Sequence, residues 1–153
     1  MIVISACLGG IACRYDGNDN LVSKIEELLQ QEATVLICPE VLGGLPTPRP
    51  SAEIIGGNGD DVLDGKAKVV TKDGEDVTAA FVSGAYKALE QMKGLHPEYI
   101  ILKERSPSCG SSTIYTGEFN GNKQIGYGVT TALLKRHGFK VISEEDFENI
   151  KRN

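Results

Sequence analysis

The chain has no apolar run long enough to span a membrane. Its first residues, Met-Ile-Val-Ile-Ser-Ala-Cys, lack the basic n-region of a signal peptide. Both absences point to a cytoplasmic protein with no membrane partner. A positive surplus is missing too: 16 Lys and Arg stand against 21 Asp and Glu, a net charge of −5 at pH 7. That weighs against nucleic-acid binding, which needs a basic surface to displace counterions, and favours a small-molecule partner. There is no tryptophan, and the two histidines, His96 and His137, fall at expected helix ends and read as structural or exposed. No repeat, linker or low-complexity tail interrupts the 153 residues, enough for one domain with its own core, so residues 1–153 read as a single domain.

What the chain does have is 18 glycines and four cysteines, Cys7, Cys13, Cys38 and Cys109. In a small secreted domain four cysteines would suggest disulfides. Without a secretory signal, and with enough length for a core, metal binding, catalysis or plain burial are the readings that remain. Their contexts narrow the choice. Cys38 follows the apolar run Thr34–Ile37 and opens Cys-Pro-Glu-Val-Leu-Gly-Gly-Leu-Pro-Thr-Pro-Arg-Pro, with four prolines and two glycines in thirteen residues. Pro39 cannot continue a sheet ladder, so the stretch reads as a stiff, shaped loop with Cys38 and Glu40 at its mouth. Cys7 follows the run at the N-terminus, in Ser-Ala-Cys-Leu-Gly-Gly. Cys109 follows the run Tyr99–Leu102, in Ser-Pro-Ser-Cys-Gly. Each time the order is strand, cysteine, then small or rigid residues.

Taken in order, Met1–Ala6 reads as a buried strand, and residues 7–20 form a loop carrying Cys13, Arg14, Tyr15 and Asp16. A helix follows over Leu21–Gln31, capped by Asn20, with Leu21, Ile25, Leu28 and Leu29 at helical spacing. After the second strand and the proline loop, residues 52–73 suggest a small irregular or hairpin element split by Gly-Gly-Asn-Gly-Asp-Asp. Asp76 caps a long helix from Val77 to about Lys93, its stripe Val77, Phe81, Ala85, Leu89 and Met92, with Gly94 as the stop. Tyr99–Leu102 is the third strand. Residues 103–128 are long for a loop, which suggests function, and Ile114-Tyr115 and Phe119 suggest a short hairpin within it. A helix over Val129–His137 ending at Gly138, a strand over Phe139–Ile142, and a terminal helix begun by Ser143 and Asp146 complete the chain. This alternation predicts an α/β fold: an open, mainly parallel, Rossmann-like sheet with helices on both faces and the cysteine loops at the C-terminal ends of the strands.

In such a sheet those ends border the ligand crevice, so Cys7, Cys38 and Cys109 converge there despite their distance in sequence. Three thiolates around one point favour zinc or an iron–sulfur cluster, with one coordination position left open. Cys13 reads either as a fourth ligand or as a small buried side chain. Glu40 can move a proton or orient water beside a metal-bound substrate; alone, it would read as a salt-bridged surface residue. Ser106 and Ser108 either hydrogen-bond a substrate or cluster sulfur or cap a turn. Arg49 and Arg105 either hold an anionic or carbonyl group or form salt bridges, and Tyr15 and Asp16 line the mouth.

Together, Ser-Ala-Cys-Leu-Gly with Cys-Arg-Tyr-Asp-Gly, the proline motif continued by Ser-Ala-Glu-Ile, Leu-Lys-Glu-Arg-Ser-Pro-Ser-Cys-Gly and Gly-Tyr-Gly-Val-Thr-Thr-Ala-Leu-Leu resemble, in order from Ile2 to about Glu144, a family first catalogued as a domain of unknown function that includes thiouracil desulfidases. The resemblance, to the stand-alone form, implies a [4Fe-4S] cluster held by three cysteines, matching Cys7, Cys38 and Cys109, with the fourth iron open to a substrate's sulfur and the cluster easily lost in air. It implies a glutamate and a serine in the chemistry, matching Glu40 and Ser106, with Ser108 second to Ser106. The expected activity is non-redox desulfuration of a thiouracil-like base to the oxo base and sulfide. Arg49, Ser108 and Tyr15 are the expected substrate contacts, and Cys13 lies outside the ligand set. The rival is a sulfur-carrying or metal-binding module, iron–sulfur or zinc, without hydrolytic activity.

Overall fold

The computed structural model describes residues 1–6 and 34–150, the last three of these by backbone alone. Cys7, Cys13, Tyr15, Asp16 and the expected helix Leu21–Gln31 lie outside the described residues. Four short strands of β-branched and aliphatic residues, β1 (Ile2–Ser5), β2 (Thr34–Ile37), β5 (Tyr99–Leu102) and β8 (Val141–Ser143), form one parallel sheet in the order β2-β1-β5-β8. Parallel strands are covered on both faces and so lack a polar alternation. The two faces carry separate apolar clusters. On one, Val3, Ile100, Leu102 and Val141 pack against the stripe Phe81, Ala85, Leu89 and Met92 and against Leu133 and Leu134. On the other, Ile2, Ile4 and Ile101 pack against Phe147. The expected open α/β sheet with helices on both faces is what the chain adopts.

The long helix α3 (Thr78–Leu95) begins where Asp76 accepts the Thr78 N–H at 2.9 Å. It passes through Gly94 and stops one residue later, because His96 takes the left-handed conformation (φ 50°) that the sequence assigned to the glycine. Helix α4 (Val129–Arg136) and helix α5 (Glu144–Ile150) flank β8, and the Ser143 hydroxyl accepts the Asp146 N–H at 3.0 Å, as the capping pattern suggested. Two antiparallel hairpins stand outside the sheet. One pairs β3 (Ala52–Ile55) with β4 (Lys68–Thr71), and the other pairs β6 (Thr113–Tyr115) with β7 (Lys123–Ile125). Between β3 and β4 the chain adds an unexpected short helix, α2 (Gly59–Leu63), started by a reciprocal Asn58–Asp61 capping box. Among the described residues no helix is long and apolar enough to cross a membrane.

The strand order reverses beside β1: the chain passes from β1 to β2 on one side, then crosses back to β5 on the other. A crevice opens beyond the carboxyl ends of the strands at such a reversal, and the cysteine loops after β2 and β5 lead into it.

Candidate active site

Immediately after β2 the chain does not remain an extended loop. Pro39–Leu42 forms one helical turn, α1, with Cys38 as its extended N-cap residue and Pro39 at the first helical position, where a missing N–H costs nothing. At the mouth of the expected stiff loop, Cys38 is therefore a cap and Glu40 a first-turn residue. The turn sits hard on α3. Cβ atoms on Gly43 and Gly84 would collide with the carbonyl oxygens of Ala80 and Pro39 respectively. Two glycines thus let the backbones touch, and they fix the height of Pro39 between Cys38 and Glu40.

Beyond β5 a different device operates. Glu104 is 3% exposed and its carboxylate receives six hydrogen bonds from the loop that follows. Oε1 accepts the N–H groups of Arg105, Ser111, Ser112 and Thr113 at 2.9–3.2 Å. Oε2 accepts the hydroxyls of Ser111 at 3.3 Å and Ser112 at 2.7 Å. Burial pushes this carboxyl up, but the donors of Ser112, Thr113 and Arg105 together outweigh burial and hold it below its ordinary value. The Glu104 N–H is itself tied to Glu144 Oε1 at 2.8 Å, and Lys103 pairs with Glu144 Oε2 at 3.2 Å. The loop then docks on α4, where Pro107 and Ser108 carbonyls accept the first N–H groups of the helix and Thr131 Oγ1 donates to the Cys109 carbonyl at 2.8 Å.

Both loops open on one cavity of about 590 Å3, whose lining includes Ser5, Cys38, Glu40, Arg49, Ser106 and Cys109. Inside it Glu40 is held from two sides. Arg49 Nε donates to Oε1 at 3.1 Å, while Arg49 Nη1 donates to the Pro46 carbonyl and the Thr47 hydroxyl, which anchors the guanidinium in the proline loop. Ser106 Oγ stands 3.5 Å from Oε2, the outer limit of a direct hydrogen bond. That oxygen already accepts the N–H groups of Ser108 and Cys109 at 3.0 Å each, so its hydroxyl proton is left to face Glu40. Glu40, Ser106, Arg49, Cys38 and Cys109 are thereby brought together. Ser108 is not: it is 1% exposed and its hydroxyl lies 2.7 Å from Thr130 Oγ1, away from the cavity. Arg105 turns to Glu145 at 3.0 Å. His96 and His137 are exposed at helix ends.

Among the described residues no three possible metal ligands assemble. Cys7 and Tyr15 lie outside them, but Cys7 stands two residues past Ser5, which lines the cavity. Sequence reasoning gave no role to Glu104, although two charged residues in a row after a buried strand, Lys103 and Glu104, were a signal. Nor did it assign Glu53, Lys72 and Lys103, which also line the cavity.

Comparisons with known proteins give the family and the fold. The model of the 2-thiouracil desulfurase family matches residues 2–146. The chain belongs to that family, a family of enzymes. It is similar to a solved structure described as the [4Fe-4S]-dependent thiouracil desulfidase TudS, with a TM-score of 0.83 and 44% identity, covering 97% of this chain and 93% of the other. It is also 53% identical over 150 residues to the uncharacterized protein YbbK of Bacillus subtilis (strain 168), covering 98% of this chain and 99% of YbbK.

Proposed function

We propose that this chain removes sulfur from a thiouracil-like nucleobase by hydrolysis, releasing the oxo base and sulfide without a change of redox state. The observation that carries the reading is the meeting of Cys38, Cys109, Glu40 and Ser106 in one cavity at the strand-order reversal. Two cysteines of the three expected ligands open on that cavity, and soft, anionic thiolates are the donors an iron–sulfur cluster takes. The donor set fits, and Cys7, Cys38 and Cys109 would hold the group. When bound, the cluster would supply Lewis acidity toward a soft sulfur, which would make a thiocarbonyl carbon more electrophilic.

The chain's own residues supply the proton movements. Glu40 Oε2 takes a proton from the water that adds to the thiocarbonyl carbon, while Oε1 stays fixed by Arg49. Ser106, its Oγ pinned by two amides, holds the water or the base in reach of that carboxylate. Arg49 serves by orienting Glu40. In balance, the carbon–sulfur bond is exchanged for a carbon–oxygen bond, and the water's two protons leave with the sulfur as hydrogen sulfide or its anion.

The test is anaerobic purification and reconstitution, an iron and sulfide count, and incubation with 4-thiouracil while following its near-ultraviolet absorption and released sulfide. A brown protein that bleaches the band and releases one sulfide per base supports the reading, and Glu40→Ala should keep the iron and lose turnover. A reconstituted protein that leaves every thiobase intact would sink it.

A further inference from the structure

Part of the cavity lining comes from the hairpins, and it contains a detail the desulfuration chemistry does not use. Most of the described lining side chains are polar or charged, yet two aromatic residues of the β6–β7 hairpin, Tyr115 and Phe119, also line the cavity. Phe119 is 36% exposed, so it is not held there by core packing. Its backbone lies in the left-handed region (φ 54°), unusual for an aromatic residue and worth a functional question where the surroundings enforce it. The surroundings do. Glu53, on β3, directs its Oε1 at the hairpin tip and accepts the N–H groups of Gly117 at 2.9 Å and Phe119 at 3.3 Å. Gly117 lies so close to β3 that a Cβ there would stand 2.6 Å from the Ile54 carbonyl oxygen. A cavity-lining carboxylate is thus spent on fixing a half-exposed phenyl ring at the cavity wall.

We propose that Phe119, set in place by Glu53, is the face on which the flat ring of the thio-heterocycle stacks, and that this pair makes the site prefer ring-borne thiocarbonyls over open-chain thioamides. The proposal rests on the desulfuration reading and specifies its substrate contact. Any planar base offers a π-face to an aromatic side chain, whereas the reacting sulfur and carbon engage the cysteine-bearing part of the lining. Glu53 is a positioning residue: it acts on the substrate through Phe119.

The experiment compares reconstituted wild type with Phe119→Ala, Phe119→Tyr, Glu53→Ala and Glu53→Gln. KM and kcat are measured for 4-thiouracil and for thioacetamide, an open-chain thioamide, and uracil is titrated calorimetrically for its Kd. Loss of one stacking partner should raise the 4-thiouracil KM and the uracil Kd about tenfold or more. The kcat should hold, and thioacetamide kinetics should not change. Phe119→Tyr should bind as wild type does. Glu53→Ala should raise KM in the same direction, and Glu53→Gln, which keeps an acceptor oxygen for the two amides, should recover it. Unchanged KM and Kd in Phe119→Ala overturn the proposal, as does an equal loss toward both substrates. A wild type that releases no sulfide overturns the desulfuration reading instead. The uracil titration still judges the stacking face, which falls if uracil does not bind or binds Phe119→Ala equally well.

Discussion

The two described cysteine loops reach the same cavity by opposite means. The Cys38 loop is stiffened covalently: its prolines restrict φ, and the turn that follows Cys38 is pressed onto α3 through Gly43 and Gly84. The Cys109 loop has one proline and several serines, and it is shaped by hydrogen bonds converging on the Glu104 carboxylate. Backbone restriction of the first kind acts largely through the unfolded chain and has no pH dependence. Satisfaction of the second kind depends on a single ionised group and is lost with it. Each loop also brings one side chain of the pair that meets in the cavity, Glu40 from the stiff loop and Ser106 from the hydrogen-bonded one, so their 3.5 Å separation measures how well the two devices are aligned.

The largest effect should come from removing either thiol. Cys38→Ala and Cys109→Ala should each leave a folded protein by circular dichroism that no longer retains iron on reconstitution and shows no desulfuration. Retention of full iron by either variant would remove that loop from the ligand set.

Next comes Glu104→Ala, which strands six donors in a buried loop and should cost at least ~3 kcal/mol. For a chain of this size that lowers Tm by about 6–12 °C. Glu104→Gln, which keeps an acceptor for the amides, sharpens the contrast between loops. Because folding lowers the Glu104 pKa from its ordinary 4.5, the group's contribution is fully present above that value. It is lost as pH falls below 4.5 and through the folded pKa. The stability gap between wild type and Glu104→Gln, measured by urea denaturation, should therefore shrink as pH is lowered through that window. A constant gap would mean that the charge does not shape the loop.

Gly84→Ala strikes the other device. The added methyl collides with the Pro39 carbonyl, and the turn must lift from α3 at about 1–3 kcal/mol. Displacing Cys38 and Glu40 by about 1 Å should cost activity on the order of 10²-fold. The expected stability loss does not vary with pH, unlike that at Glu104. The smallest effect belongs to a control at the exposed C-terminal end of α4. Arg136→Ala breaks exposed pairs with Asp60 at 3.0 Å and Asp64 at 3.2 Å and should change stability by no more than about 1 kcal/mol, with turnover intact.

The parallel sheet was legible in the sequence because each strand is a short β-branched run and because apolar spacing changes from strand to helix between them. The convergence of Cys38 and Cys109 followed from that topology and Glu40 from its place beside Cys38, whereas Ser106 was preferred over Ser108 only by the family resemblance. The role of Glu104 was not legible, since six donors gather on one carboxylate only after the loop has closed, and no periodicity announces that. The Gly43–Gly84 contact joins residues 41 positions apart and leaves only two unremarkable glycines in the sequence. Ser108 was misplaced because the alternation within Ser-Pro-Ser-Cys does not say which hydroxyl faces the cavity; the pairing with Thr130 decides it. The α1 turn was concealed by reading Pro39 as a breaker when, at the first position of a helix, it is a starter.

The two hairpins touch each other through Glu53 and Gly117 and contribute no strand to the central sheet. The cavity therefore has a floor and a roof of separate origin. A change in the ring carried at position 119 alters the roof alone, whereas Thr113 at the start of β6 ties the hairpin to Glu104 and so to the floor. Diversification of substrate and preservation of chemistry can then proceed on different parts of the gene, and an engineer seeking a new thio-substrate would randomise Tyr115 and Phe119 first, keep Gly117, and leave 38–50 and 104–113 untouched.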